Sequence, residues 1–365
     1  VEKLSNIIRY LERLAPPSLQ EDYDNSGLIV GQPDMEIHSA IICLDSTEAV
    51  IDEAVRNGCN LVIAHHPVVF SGLKRFNGKN HVERTVMKAI KHDIAIYAIH
   101  TNLDNVAHGV NAEICSRLGL VRTRVLDVKR GQIKKLVTYC PEKDAEKVRN
   151  ALFAAGVGHI GKYDECSFNT NGVGTFRPLI GSDPTIGQIG VRHHENEIRI
   201  ETIFAQYLEK TVLQALFEAH PYEEVAYELY NTDNQHQGIG SGMIGELEKP
   251  METLAFLNMV KERFGVKSLR HTNILKPQIS TVAVCGGSGS FLLKNAIAEK
   301  ADVFLTADYK YHQFFDADGK IVIADMGHFE SEQFTNELLH RELSREFTTF
   351  ALRLTDIHTN PVKYL

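Results

Sequence analysis

The sequence has no Cys-x-x-Cys pair, no apolar run long enough to cross a bilayer as a helix, and no excess of positive charge. Its six cysteines, Cys43, Cys59, Cys115, Cys140, Cys166 and Cys285, are scattered along 365 residues. A chain of that length builds a core without disulfide staples. Reduced, mostly buried thiols, a cytoplasmic setting and no cysteine zinc site are therefore expected. The longest clean apolar run, Ile94 to Ile99, falls far short of the ~20 residues of a membrane-spanning helix. No charged-then-apolar leader opens the chain, so no signal peptide is expected, and the opening Val1 implies an initiator Met omitted or removed. Lys and Arg number 39 against 47 Asp and Glu, a formal charge of −8. That sign argues against a general nucleic-acid coat protein, since phosphate neutralisation needs excess cations, although a local basic patch stays open. The Gly-x-Ser-x-Gly elbow of serine hydrolases does not occur.

What is present is a large apolar fraction, 43% of residues, enough to build a sizeable core. At ~150 residues per domain the length suggests two or three domains. The first third alternates strands and helices: strands at 40–44, 61–64 and 94–99, with helical patterns at 47–57 and 81–92. The last third repeats this, with strands at 281–285, 302–306 and 321–324. Such alternation implies mostly parallel sheet covered on both faces. The similar strand spacing in the two thirds suggests two related three-layer α/β lobes. Between them, from about 126 to 240, the texture is α+β. Strands are expected at 132–140, around Tyr163–Phe168, at 196–204 and at 224–230, with helices at 142–154 and 206–218. That order suits a ferredoxin-like module. Gly238, Gly240, Gly242 and Gly245 read as a hinge. The expected organisation is one discontinuous α/β domain, lobe 1 at 1–125 and lobe 2 at 241–365, interrupted by an insert at 126–240.

In open α/β sheets ligands bind beyond the carboxyl ends of the strands. Four strand ends here lead into histidine-bearing loops: His65-His66-Pro67, His100-Thr-Asn-Leu-Asp104, Asp308-Tyr-Lys-Tyr-His312, and Asp325-Met-Gly-His328-Phe-Glu-Ser-Glu332. Imidazole nitrogens with carboxylate oxygens suit zinc, iron or manganese better than calcium or magnesium. His328 and Glu332 share a face if their segment is helical. Adjacent imidazoles at 65 and 66 diverge, and so serve two ions more naturally than one. A carboxylate can bridge two ions ~3.5–4 Å apart. The expected site is dinuclear, with His65, His66, Asp104, His328 and Glu332 as ligands. Each element alone has a plainer reading: a hydrogen-bonded loop histidine, or a surface i,i+4 pair for His328 and Glu332. Their convergence favours the metal. His100, Asp308 and His312 are candidates for acid–base work or substrate contact, and a supporting hydrogen bond is the alternative role for each.

Other signals have simpler explanations. Gly286-Gly-Ser-Gly-Ser290 precedes a helix and could cradle a phosphate, but it lacks the Lys-Ser/Thr ending of a P-loop, and a tight turn accounts for it equally well. Arg122, Arg124, Lys129, Arg130, Lys134 and Lys135 have few aromatics among them, as a solvated linker would.

These motifs carry a resemblance. His65-His66-Pro67, His100-Thr-Asn-Leu-Asp104 and Gly327-His328-Phe-Glu-Ser-Glu332 resemble those of the Nif-three-like family, also known as GTP cyclohydrolase I type 2 homologues. Asp22-Tyr-Asp-Asn-Ser-Gly-Leu28 is similar to the family's N-terminal Trp-Asp-Asn-x-Gly-Leu. Gly158-His-Ile-Gly-Lys-Tyr-Asp-Glu-Cys-Ser-Phe168 and His220-Pro-Tyr-Glu-Glu224 resemble the PII/CutA-like insert of longer bacterial members. Tyr23, Ala307 and Met243 depart from the usual Trp, Gly and Arg, and none is a proposed ligand.

The resemblance implies two divalent ions, zinc first with iron or manganese also compatible, held by the same five residues. It also implies a toroidal homohexamer with the metals facing an internal cavity. The implied activity is metal-dependent hydrolysis of a nucleotide-like small molecule, GTP being the named candidate, with a metal-activated water attacking C8 of guanine. The alternative is a non-enzymatic, metal-binding regulatory or metal-handling hexamer. No membrane or nucleic-acid partner is expected.

Overall fold

The computed structural model describes residues 1–365. It divides into two compact units, one formed by 1–128 with 237–365, the other by 129–236.

The first unit contains two large sheets and a small strand pair, Glu2–Lys3 with Glu36–Ile37. The five-stranded sheet runs in the order Ala351–Leu354, Ser39–Asp45, Leu61–His66, Ala95–Ala98, Gly27–Val30. Its first four strands are parallel and the last is antiparallel. The six-stranded sheet runs Arg270–His271, Val322–Asp325, Val303–Ala307, Gln278–Ser288, Gly240–Glu252, Leu120–Val128. Its parallel trio is 278–288, 303–307 and 322–325. The four histidine-bearing loops thus come from two sheets.

The parallel strands read as unbroken apolar runs because both their faces are buried. Successive residues serve different layers. Ile42 and Ile63 face a central core shared with Val282, Leu305 and Val322 of the other sheet, while Ile41, Cys43 and Val62 face an outer layer with Val50, Ala54 and Val86. Ala283, Phe304 and Ile323 turn the other way, onto Leu293 and Ala296. Each fully buried Ile, Leu or Val contributes roughly 1.5–3 kcal/mol. The covering helices Glu48–Asn57 and His81–Lys91 start on side-chain caps: Thr47 accepts the Val50 amide at 3.4 Å and Asn80 the Glu83 amide at 2.9 Å. Gly58 ends the first of them at φ +65°, where a left-handed residue closes the last turn.

The expected glycine hinge is a strand. Residues 240–252 pair with both 278–288 and 120–128 inside the six-stranded sheet. A Cβ at Gly240 would lie 2.1 Å from the Asp127 carbonyl, so the residue is small to let a neighbouring chain approach. Of the basic stretch 122–135, only Lys129 and Arg130 lie in a connection, where the chain passes from the first unit to the second; the other four are on strands. Arg122 and Arg124 lie on strand Leu120–Val128, Lys134 and Lys135 on Ile133–Pro141, and these four pair with Glu246, Glu299, Glu209 and Glu201.

In the second unit, strands Ile133–Pro141, Phe168–Phe176, His193–Ala205 and Tyr227–Asn231 form one antiparallel sheet. The order across it, first to last, is 227–231, 133–141, 193–205, 168–176. Helices Ala145–Ala154 and Glu209–Ala219 join it in one core through Val148, Leu152, Val212 and Leu216. The strand expected around Tyr163 starts only at Phe168. All six cysteines are free thiols, five of them buried. No helix is long and apolar enough to cross a membrane.

Candidate metal centre

Strand Leu61–His66 ends on its two histidines. Their rings lie 4.9 Å apart between centroids, tilted by 45°. The His65 ring is fully buried; its Nδ1–H donates to the Ile99 carbonyl at 2.8 Å, and its Nε2 has no hydrogen-bond partner. The His66 Nδ1–H donates to Asp45 Oδ1 at 2.8 Å, which turns Nε2 toward Glu332 Oε2 at 3.0 Å. Asp104 ends a single helical turn, Thr101–Asp104. Its Oδ1 is buried without a partner, 3.7 Å from His65 Nε2.

The second sheet supplies the turn His328–Glu332 after strand Val322–Asp325. The i,i+4 spacing puts both side chains on one face. His328 Nδ1–H donates to Asp308 Oδ2 at 2.7 Å, leaving Nε2 3.0 Å from Glu332 Oε2 and 3.3 Å from His66 Nε2. Glu332 Oε1 lies 3.9 Å from His65 Nε2. The two oxygens of Glu332 therefore face different partners. Gly287 makes this approach possible: at φ +59° its added Cβ would stand 2.4 Å from Glu332 Oε1.

Charge follows from this packing. Burial lowers the His65 pKa to about 4, so its ring is neutral near pH 7. Burial also opposes a charge on His66, but the bonds to Asp45 and Glu332 outweigh it and raise the pKa to about 9. For His328 the Glu332 and Asp308 carboxylates outweigh burial and raise it to about 11. The same imidazoles hold Glu332 well below the carboxylate range in spite of its burial. Burial, then the Glu332 charge, push Asp104 well above it.

His100 also reaches this cluster. His65, His66 and His100 form one group of donors within 4.8 Å of one another; His66, His328 and Glu332 form a second, and His65, Asp104 and Glu332 a third. Nδ1–H of His100 donates at 2.8 Å to Asp24, a fully buried carboxylate that also accepts the Thr101 amide and hydroxyl and the Ser26 hydroxyl. Asp308 is brought to the cluster as the partner of His328. His312 is not brought in: it is exposed on the turn Tyr311–Ala317, its ring against Tyr311 and Phe315. Asp325 is spent on Arg270 and on the amides of Tyr309 and Gly327.

Sequence reasoning missed Asp24 and Asp45 as supports, and Thr359, whose hydroxyl donates to Asp45 Oδ2 at 2.7 Å. Asp24 did stand within the Asp22–Leu28 motif; Asp45 read only as a helix-starting residue. The Gly286–Ser290 loop proves to be packing: the Gly286 amide donates to Asn111 and the Gly287 amide to Ser331.

The donors fit a divalent transition metal. Zinc bonds nitrogen and oxygen at ~2.0–2.2 Å, so tetrahedral donors stand roughly 3.3 Å apart. The 3.0, 3.0 and 3.3 Å separations among Glu332, His66 and His328 match that spacing. Orphaned buried acceptors at His65 Nε2 and Asp104 Oδ1 are what a cation would satisfy. The cluster opens into a cavity of about 1320 Å³, also lined by Tyr23, Phe70 and Phe291.

The family model of Duf34/NIF3 (NGG1p interacting factor 3) matches residues 2–361. A Halalkalibacterium halodurans protein named GTP cyclohydrolase 1 type 2 homolog is 38% identical over 365 residues, covering 98% of each chain. A Bacillus subtilis protein of the same name is 36% identical over 365 residues, with 98% of each covered. A crystal structure of a Bacillus cereus protein related to NIF3 matches with a TM-score of 0.87 at 36% identity, over 100% of both chains. Sequence and fold agree along the whole length, including every segment that meets at the cluster: the chain belongs to the Duf34/NIF3 family.

Proposed function

We propose that this chain is a dinuclear-metal hydrolase of a nucleotide-like small molecule. The observation that carries the reading is the division of Glu332, with Oε1 beside His65 and Oε2 between His66 and His328. One ion would be held by His65, Asp104 and Glu332 and the other by His66, His328 and Glu332, with Glu332 common to both sets. Zinc is the first choice by donor type, with iron and manganese next. When bound, such ions supply Lewis acidity and make water nucleophilic near neutral pH. The chain's own residues do the rest. Ile99, Asp45, Asp308 and Asp24 each hold one imidazole Nδ1–H, so that His65, His66, His328 and His100 present Nε2 inward. His100, outside both sets, holds or accepts a proton at Nε2 beside the substrate.

A nucleotide-like substrate is supported by the rings at the cavity. Tyr23, Phe70 and Phe291 line it while 70%, 54% and 63% exposed, and flat aromatic faces are what a base stacks on. The relatives' shared name points to GTP among such substrates. We further read the chain as lobes 1–125 and 241–365 around a ferredoxin-like, PII/CutA-like insert at 126–240, assembled as a homohexamer in the cytoplasm. The separate compactness of 129–236 favours a second reading, a metal-binding regulator without turnover. One experiment separates the two: metal-loaded protein and its Glu332→Ala and His65→Ala variants are screened against a nucleotide library. Metal-dependent turnover, lost in both variants with unchanged circular dichroism, is expected. Turnover that survives in either variant refutes the proposal; none at all, with metal-dependent assembly, favours the regulator.

A further inference from the structure

The unit 129–236 has a cavity of its own, of about 490 Å³. Small-molecule sites run from ~300 to 1,000 Å³ and combine apolar walls with a few placed polar groups. One wall here is Tyr139, Phe176, Glu197 and Tyr222; the other is the connection 177–192 through Pro178, Pro184 and Ile186. That connection has no helix or strand. Connections beyond about 12–15 residues without such elements are uncommon, and are either functional, as lids or binding loops, or disordered linkers. This one is tied down at its middle. The Asp183 amide donates to both oxygens of Glu223 at 3.0 Å, and the Thr185 hydroxyl donates to the Pro221 carbonyl at 2.7 Å.

The motif His220-Pro-Tyr-Glu-Glu224, unused by the metal centre, builds this cavity. His220 Nε2–H donates to the Tyr139 carbonyl at 2.9 Å, and its Nδ1 accepts the Tyr222 amide at 3.2 Å. The ring is thereby held as one neutral tautomer and fixes where Tyr222 stands. The Tyr222 hydroxyl donates to Glu197 Oε1 at 2.9 Å, and its ring lies 5.8 Å from that of Phe176. Glu197 Oε2 takes the space where a side chain at 174 would be: a Cβ on Gly174 would sit 1.9 Å from it. Three carboxylates line the cavity, Glu197, Glu223 and Glu224, against one guanidinium, Arg177.

We infer that this cavity is a binding site for a small organic ammonium ion with an aromatic or apolar body, its charge on Glu197 and its body between Phe176, Tyr222 and the 177–192 wall. Aromatic faces carry negative quadrupole and attract cations, and a carboxylate at the wall adds to the same preference. The metal centre plays no part in this site.

The test uses the full chain and three indoles of one ring and different charge: tryptamine, tryptophol and indole-3-propionate. The chain has no Trp, so indole fluorescence reports the ligand alone. Tryptamine is expected to bind, tryptophol at least tenfold more weakly, and the acid not at all. Glu197→Gln is expected to weaken tryptamine at least tenfold while metal content stays that of the parent; Phe176→Ala is expected to weaken both tryptamine and tryptophol. Failure of all three ligands to bind, equal binding of amine and acid, or unchanged tryptamine affinity in Glu197→Gln would each overturn the assignment.

Discussion

Metal binding to this chain should expel protons, and the number follows from the geometry. In the metal-free protein His66 and His328 titrate at about 9 and about 11 because Glu332, with Asp45 on one and Asp308 on the other, stabilises their charged forms. Both are protonated at pH 7, whereas His65, lowered to about 4, is already a neutral donor. Asp104 is raised well above the usual carboxylate range, by burial first and then by the Glu332 charge. A ligand must be deprotonated, so filling the set of His66, His328 and Glu332 releases two protons from its imidazoles. The apparent dissociation constant should then fall about 100-fold per pH unit between pH 7 and 8, a slope of about 2.7 kcal/mol per unit. The sign for the metal-free fold is opposite. A raised histidine pKa contributes stability that is fully present below the ordinary ~6.5 and is lost as pH rises through the folded value. Alkaline pH therefore weakens the metal-free fold and strengthens metal binding. Titration calorimetry of zinc into metal-free protein, in two buffers of different ionisation enthalpy, counts the protons directly. A count of zero with pH-independent affinity would refute the charge pattern assigned to Glu332, His66 and His328.

Asp45→Asn removes the carboxylate that orients His66, and should weaken metal binding by about 10–100-fold, read by competition with a chromophoric chelator. Gly287→Ala forces a Cβ to 2.4 Å from Glu332 Oε1 at a positive φ, and should abolish stoichiometric metal uptake, measured by elemental analysis after dialysis. Asp302 is partly buried, which alone would raise its pKa, but Lys276 and the amides of Ser280 and Thr281 hold it below the ordinary value. Its stabilising contribution is present above ~3.9 and fades as pH falls through the folded value. Asp302→Ala should accordingly lower stability by about 1–3 kcal/mol near pH 7 and by less at pH 3, as urea denaturation would register.

The parallel strands were legible because both faces of each are buried, which leaves unbroken runs such as Leu61–Ala64 and Val303–Thr306. The strand at 240–252 was hidden by its own glycines. Glycine signals a hinge when only the backbone's freedom is considered, and the tight approach to Asp127 is a tertiary fact. Short strands such as Gly27–Val30 and Ala351–Leu354 offer too few residues for a period to emerge. Arg122, Arg124, Lys134 and Lys135 read as linker residues because their partners, Glu246, Glu299, Glu209 and Glu201, lie far along the chain or on an unrecognised strand. The loop after Val303–Ala307 was located, but not the turn that carries His312 outward.

At the cluster the sequence discloses donors and conceals what aims them. An imidazole has two nitrogens, and a histidine becomes useful at Nε2 only when something occupies Nδ1. Here four different acceptors do so: a backbone carbonyl at 99 and carboxylates at 45, 308 and 24. A carbonyl has no signature in an amino-acid string, and an aspartate after a strand reads as the start of a helix. The same logic explains why Asp45 and Asp308 differ from Asp104, although all three are acids near the same rings. The first two contact Nδ1, and their pKa values are held down by the imidazoles they accept from. Asp104 contacts no Nδ1, keeps Oδ1 without a hydrogen bond, and is pushed upward. Which carboxylate supports a ring and which keeps an oxygen unpaired within the cluster is thus decided by orientation within a few ångströms, a property that residue type and spacing do not carry.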